Sequence, residues 1–123
     1  MLSTKRKGAI AVAHAITYFI EKGLTPSLPV VDCDKYDLIV DNGSLKRVQC
    51  KYTNEKANAN SYVVDLRTFG GYREKVYDIT YDDTDFDELF VYCSNGLSYL
   101  IPIDKVCNKT TITVGKAWEQ YRV

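Results

Sequence analysis

The segment Tyr36-Asp37-Leu38-Ile39-Val40-Asp41, a short turn at Asn42-Gly43, and then Leu45-Lys46-Arg47-Val48-Gln49-Cys50-Lys51 most constrain the fold. Both arms mix apolar and polar residues in alternation, and Asn-Gly between two such arms is a strong hairpin signal. Side chains alternate in direction along a strand, so Gln49 and Lys51 share a face. Whether Asp37 joins them depends on loop length. A two-residue turn pairs Asp41 with Ser44 and sets Asp37 opposite Val48, on the wrong face. A three-residue loop, Asn42-Gly43-Ser44, pairs Asp41 with Leu45 and sets Asp37 opposite Gln49, with Lys51 on the diagonal. We expect that loop or an equivalent bulge. The other face then carries Tyr36, Leu38, Val40, Val48 and Cys50, a good core face.

Two readings of the polar face stand at this point. An acid, an amide oxygen and an ammonium together can hold a hydrated divalent cation beside a phosphodiester. The same residues also suit a half-exposed hairpin with a surface Asp37–Lys51 ion pair, because polar alternation is common on strands.

The rest of the chain supplies a layered context. Residues 4–22 read as a helix, with Thr4 as N-cap, Ile10, Ala13, Thr17 and Ile20 at helical spacing, and Gly23 as the stop. Pro26 and Pro29 lead into an expected strand near Leu28–Val31. Residues 54–60 read as loop, Ser61–Arg67 as a strand, and Thr68–Lys75 as a Gly-Gly loop. An acidic turn over 82–87 precedes a second hairpin, Leu89–Cys93 and Ser98–Ile103, around Asn95-Gly96. A short helix is expected around Lys116–Tyr121. One helix followed by strands of both directions predicts an α/β layer structure with a central, mostly mixed sheet.

Length and charge bound the function. A chain of 123 residues fits one domain, 1–123, with one core. Formal net charge is zero, but the signs are segregated. Residues 1–76 carry net +4, residues 77–104 net −7 and residues 105–123 net +3, so a positive face coexists with overall neutrality. Cys33, Cys50, Cys93 and Cys107 form no C-x-x-C pair and mostly sit beside apolar runs, which reads as buried free thiols in a cytoplasmic protein. The apolar stretch Ala9–Ile20 is too short for a membrane span.

Taken in order, these segments resemble the PD-(D/E)XK nuclease superfamily, in its group I intron-associated homing endonuclease branch. The match begins with Lys7-Gly8 and Glu21-Lys22-Gly23. It continues through Tyr36-Asp37-Leu38-Ile39-Val40 and Arg47-Val48-Gln49-Cys50-Lys51-Tyr52. Val64-Asp65-Leu66-Arg67, Tyr81, Asp87 and Tyr99-Leu100-Ile101-Pro102 complete it. There are two departures. The superfamily's Pro-Asp is Tyr36-Asp37, which keeps the acid. The Glu that the family places one turn after Lys-Gly is Val12. His14 points about 200° around the helix from Val12 and reads as a partly buried structural residue rather than a substitute ligand.

The resemblance implies a restriction-endonuclease-like α/β core, a central mixed β-sheet flanked by helices. It implies Asp37, Gln49 and Lys51 as catalytic residues. Asp37, Gln49 and the backbone carbonyl of Cys50 would hold Mg²⁺, with Mn²⁺ as a substitute. The implied partner is DNA, met by Lys5, Arg6, Lys7, Lys46, Arg47, Lys56, Arg67, Arg73 and Lys75; the Thr68–Lys75 loop, with its aromatic and basic residues, reads equally as a DNA-contacting loop or as a mobile surface loop. A homodimer or homotetramer is also implied, because one site cuts one strand, and no membrane is involved. The alternatives are a Holliday-junction resolvase or restriction-like nuclease, and a catalytically weak nuclease-fold DNA-binding module. Val12 favours the last, whereas the retained Asp37, Gln49 and Lys51 oppose it.

Overall fold

The computed structural model describes residues 1–31, 35–72 and 75–123, with backbone alone over 68–72 and 75–79. Helix α1 spans Thr4–Glu21. Its cap is Ser3, one residue before the expected Thr4, because the Ser3 side chain accepts a hydrogen bond from the Arg6 N–H at 3.2 Å. Ala11, Ala15 and Phe19 recur every fourth residue and form its buried stripe.

The strands in chain order are β1 (Pro26–Ser27), β2 (Leu38–Asp41), β3 (Leu45–Thr53), β4 (Lys56–Asn58) and β5 (Ser61–Asp65), then β6 (Arg67–Tyr72), β7 (Lys75–Thr80), β8 (Glu88–Cys93), β9 (Ser98–Pro102) and β10 (Thr111–Val114). Short 3₁₀ turns cover Ile103–Lys105 and Lys116–Tyr121. The main sheet has the order β1-β2-β3-β8-β9. It is mixed, since β3 and β8 run parallel while the other neighbours are antiparallel. A parallel pair needs a long crossover. Here the crossover carries β4 to β7; β6 and β7 form one small sheet, and β4 and β5 form another with β10 from the end of the chain.

The hairpin register follows the odd-length loop. Asp41 pairs with Leu45 and Leu38 with Val48. Gly43 takes φ +110°, a left-handed value that glycine adopts without strain, and its N–H bonds the Asp41 carboxylate at 3.0 Å. Leu38, Val40, Val48 and Cys50 are buried with Ala11, Ala15, Phe19 and Phe90 between the sheet and α1. The opposite face packs Leu89, Val91, Tyr99 and Ile101 against Tyr62, Val64, Ile112 and Val114 of the second sheet. The architecture is therefore α/β around a mixed sheet, with an α-helix on one face. On the other face pack a small sheet and 3₁₀ turns, the short helix expected around Lys116–Tyr121 being one of these turns.

Three local expectations are corrected. The early strand is Pro26–Ser27, paired with Val40 and Ile39, whereas Leu28, Val30 and Val31 are exposed. Proline fits there because an edge strand can spare its N–H. Residues 54–60 include the strand Lys56–Asn58. Of the expected Thr68–Lys75 loop, residues 68–72 and Lys75 are strand, and 73–74 lie outside the described residues. The two strands pair antiparallel, Gly70 and Gly71 with Tyr77 and Val76. Their aromatic and β-branched content outweighs the two glycines. Strand β10 pairs with β5.

Candidate active site

Regular pairing between β2 and β3 stops at Leu38 and Val48. Beyond it, β3 continues to Thr53, so Gln49 to Thr53 have no β2 residue beside them. Asp37 lies at this fork. Its N–H bonds the Val48 carbonyl at 2.8 Å, and its carboxylate Oδ2 accepts from the Cys50 N–H at 2.8 Å. The side chain takes the place of a ladder partner, which fixes the acid beside Gln49 and Cys50. The Gln49 amide Nε2 donates to the Cys50 carbonyl at 3.3 Å. The structure thus brings Asp37, Gln49, Cys50 and Lys51 together.

Two grooves meet over this edge and share Gly8, Gln49 and Cys50 in their walls. One, of about 370 Å³, adds Lys7, Lys51, Asp65 and Arg67. The other, of about 460 Å³, adds Val12, Tyr36 and Asp37. Val12 therefore presents an apolar wall beside Asp37 and Gln49. Among the described residues there is no cluster of three or more His, Cys, Asp or Glu side chains suited to a metal.

Lys51 is partly buried, and its ammonium lies 5.3 Å from the centre of the Tyr81 ring. Burial pushes its pKa below the ordinary lysine value, and the carboxylates of Asp65 and Asp37 pull it back toward the charged form. Asp65 reaches this groove because β5 docks on the end of β3. The Thr53 hydroxyl donates to the Val63 carbonyl, and the Val63 N–H bonds the Glu55 carbonyl at 2.8 Å. Asp65 in turn holds Arg67, with Nε–Oδ1 3.1 Å and Nη2–Oδ2 3.2 Å. The Arg67 guanidinium bonds hold the Asp65 carboxyl below its usual range. Asp65 and Tyr81 were not among the expected site residues. The Asp-x-Arg spacing at 65 and 67 was a signal for the first, but nothing local ties Tyr81 to Lys51.

The expected DNA contacts divide. Lys5 and Arg6 are exposed on the first turn of α1, and Lys7 lines a groove. Arg67 lines the same groove, braced by Asp65. Lys46 is partly buried and acts on Glu88 of β8. Arg47 is clasped by Asp87, with Nε–Oδ2 3.3 Å, and by the Thr84 carbonyl. Lys56 is exposed on β4, Lys75 begins β7, and Arg73 lies outside the described residues. His14 is exposed rather than partly buried. It stacks on Tyr92, with ring centres 3.8 Å apart at 9°. Cys50 and Cys93 are buried free thiols and Cys107 is partly buried, whereas Cys33 lies outside the described residues. Burial raises the Cys93 thiol to about 11. No helix among the described residues is long and apolar enough to cross a membrane.

A mixed sheet forked at an acid, with a Gln-x-Lys strand beside it, defines a nuclease-type core. The chain matches the PD-(D/E)XK endonuclease family over residues 2–121 and belongs to that family. It is similar to the solved structure of a bacterial homing endonuclease, I-Ssp6803I, with a TM-score of 0.85 and 29% identity over 98% of this chain and 89% of that one. No curated protein sequence matches the chain.

Proposed function

We propose that this protein is a divalent-metal-dependent DNA endonuclease of the homing type, cutting at a specific site. The observation that carries the reading is the fork at Asp37, where one acid, the Gln49 amide, the Cys50 carbonyl and the Lys51 ammonium meet on an open strand edge. Homing activity is the property named for the similar solved structure.

The donor set is all oxygen and carries one negative charge, which suits a hard cation that keeps several waters, Mg²⁺ or Mn²⁺. Asp37 would hold it with the Cys50 carbonyl and, after rotation of its amide, Gln49. A bound divalent cation supplies Lewis-acid polarisation and a more acidic water. Lys51 bears on the phosphate, where a fixed ammonium stabilises charge developing in the transition state.

The first turn of α1 supports a polyanionic substrate. A helix N-terminus carries partial positive charge and is stabilised by acids. Here the first turn has no acid but contains Lys5, Arg6 and Lys7. That arrangement is unfavourable for the free helix and favourable against phosphates. Nothing lies within 4 Å of a Cβ built at Gly8, so a backbone can pass close to this turn.

Cutting both strands of a duplex requires two such sites, which supports a homodimer or homotetramer. A second reading, a catalytically weak DNA-binding module, draws on Val12, which leaves the site one acid short. The deciding experiment incubates wild type, Asp37→Ala and Lys51→Ala with long duplex, branched and single-stranded DNA, with Mg²⁺, Mn²⁺ or chelator. Metal-dependent cutting of duplex by wild type alone supports the homing reading. Preference for branched DNA points to a resolvase, and binding without cutting supports the weak module. Equal cutting by all three proteins removes the site assignment.

A further inference from the structure

A lysine side chain has four rotatable carbons and loses much freedom when it is held in one place. Lys51 leaves β3 on the face away from α1, toward the second core layer. There its ammonium stands over the Tyr81 ring, 5.3 Å from the centroid, within the range of a cation–π attraction. The carboxylates of Asp65 and Asp37 act on the same charge.

The ring is itself fixed. Tyr81 is 3% exposed, and its ring meets Phe86 edge-on, with centroids 5.0 Å apart at 73°. Phe86 is fully buried, and the Tyr81 carbonyl accepts the Asn108 N–H at 2.7 Å. A rigid aromatic face therefore forms one side of the space open to the ammonium, and the groove lined by Gln49, Asp65 and Arg67 forms another.

We propose that Tyr81 is a positioning residue: its ring face holds the Lys51 ammonium at the groove wall, where it meets the scissile phosphate. The catalytic consequence rests on the nuclease reading above, whereas the hold on Lys51 does not.

The test has two readouts, Mg²⁺-dependent cleavage and the NMR ring-current shift of the Lys51 Hε protons at fixed pH in DNA-free protein. Tyr81→Phe keeps the face and should stay closer to wild type than Tyr81→Leu in both. Tyr81→Leu keeps an apolar side chain but removes the face. It should lower kcat roughly tenfold with little change in KM, as expected for loss of one partly desolvated cation–π contact to a transition-state group. It should also remove the ring-current shift of the Lys51 Hε protons. Progressively fluorinated phenylalanines at position 81 keep the shape and drain negative charge from the ring face, so kcat should fall stepwise even if Tyr81→Leu fails to fold. Lys51 shifts that are the same with and without the ring, together with a flat fluorination series, overturn the proposal. If no protein cleaves but the Lys51 ring-current shift is present with the ring and lost without it, the hold on Lys51 stands and the nuclease reading falls.

Discussion

Asp37 and Cys50 are joined by a 2.8 Å hydrogen bond from the Cys50 N–H to the Asp37 carboxylate, at the point where β2 leaves β3. One acid thus has two tasks. It satisfies a backbone donor that has lost its ladder partner, and it offers negative charge beside Gln49.

These tasks separate by substitution. Asp37→Ala leaves the Cys50 N–H without its acceptor and should destabilise the fold by about 1–3 kcal/mol. Asp37→Asn keeps an acceptor oxygen, so its stability should stay within about 1 kcal/mol of wild type. Both should abolish metal-dependent cleavage. Denaturant unfolding and a cleavage assay check the pair, and equal stability of the two variants would sink the structural half.

Lys51 sets an alkaline limit. Burial lowers its pKa, so the charged form is lost at a pH below the ordinary lysine value of about 10.4. Cleavage should fall with rising pH through that lowered value. Lys51→Arg, which stays charged, should show no such limb whatever its absolute rate. The linked stability effect has the opposite direction. Between the folded and unfolded pKa values the unfolded chain binds more protons, so stability should rise with pH across that window. Single-turnover rates and unfolding curves at stepped pH measure both.

Val12 lines the same groove as Asp37 and Gln49. Val12→Glu adds a second carboxylate to a wall that has one acid. Because ligand charge count tunes cation affinity, Mn²⁺ binding should tighten by on the order of tenfold. Calorimetric titration with Mn²⁺ reads this directly, and unchanged affinity would show that position 12 does not face the cation.

Gly115 is tight for a packing reason. A Cβ there would come within 2.7 Å of the Ser61 Cβ and 3.1 Å of the Asn60 carbonyl. Gly115→Ala should lower stability by about 1–3 kcal/mol through overpacking where β10 leads into the last 3₁₀ turn. Gly115 lines neither groove, so cleavage per folded molecule should not change. A melting temperature equal to wild type would show that the two segments yield without cost.

Much of the site was legible locally. The Asn42–Ser44 loop length sets the register from Asp41–Leu45 to Leu38–Val48, because a strand alternates every residue. The second hairpin and α1 follow from periodicity and turn chemistry in the same way. The pairing of Arg67–Tyr72 with Lys75–Thr80 was hidden because Gly-Gly is a loop signal that strand pairing overrode. Arg47 resembles a DNA contact in the sequence, yet Asp87, forty residues later, takes its guanidinium.

By itself, then, the sequence determined the β2–β3 register and placed Gln49 and Lys51 on one face of β3, since both depend on short-range spacing, whereas Asp37 lies beyond the ladder and reaches β3 through the Cys50 N–H. Only the tertiary structure decided that β8 runs parallel to β3, that the end of β5 and the start of β6 bring Asp65 and Arg67 to the groove, and that Tyr81 stands under Lys51. Those contacts join residues 14 to 40 positions apart, and their partners are chosen by how the layers pack rather than by any local period.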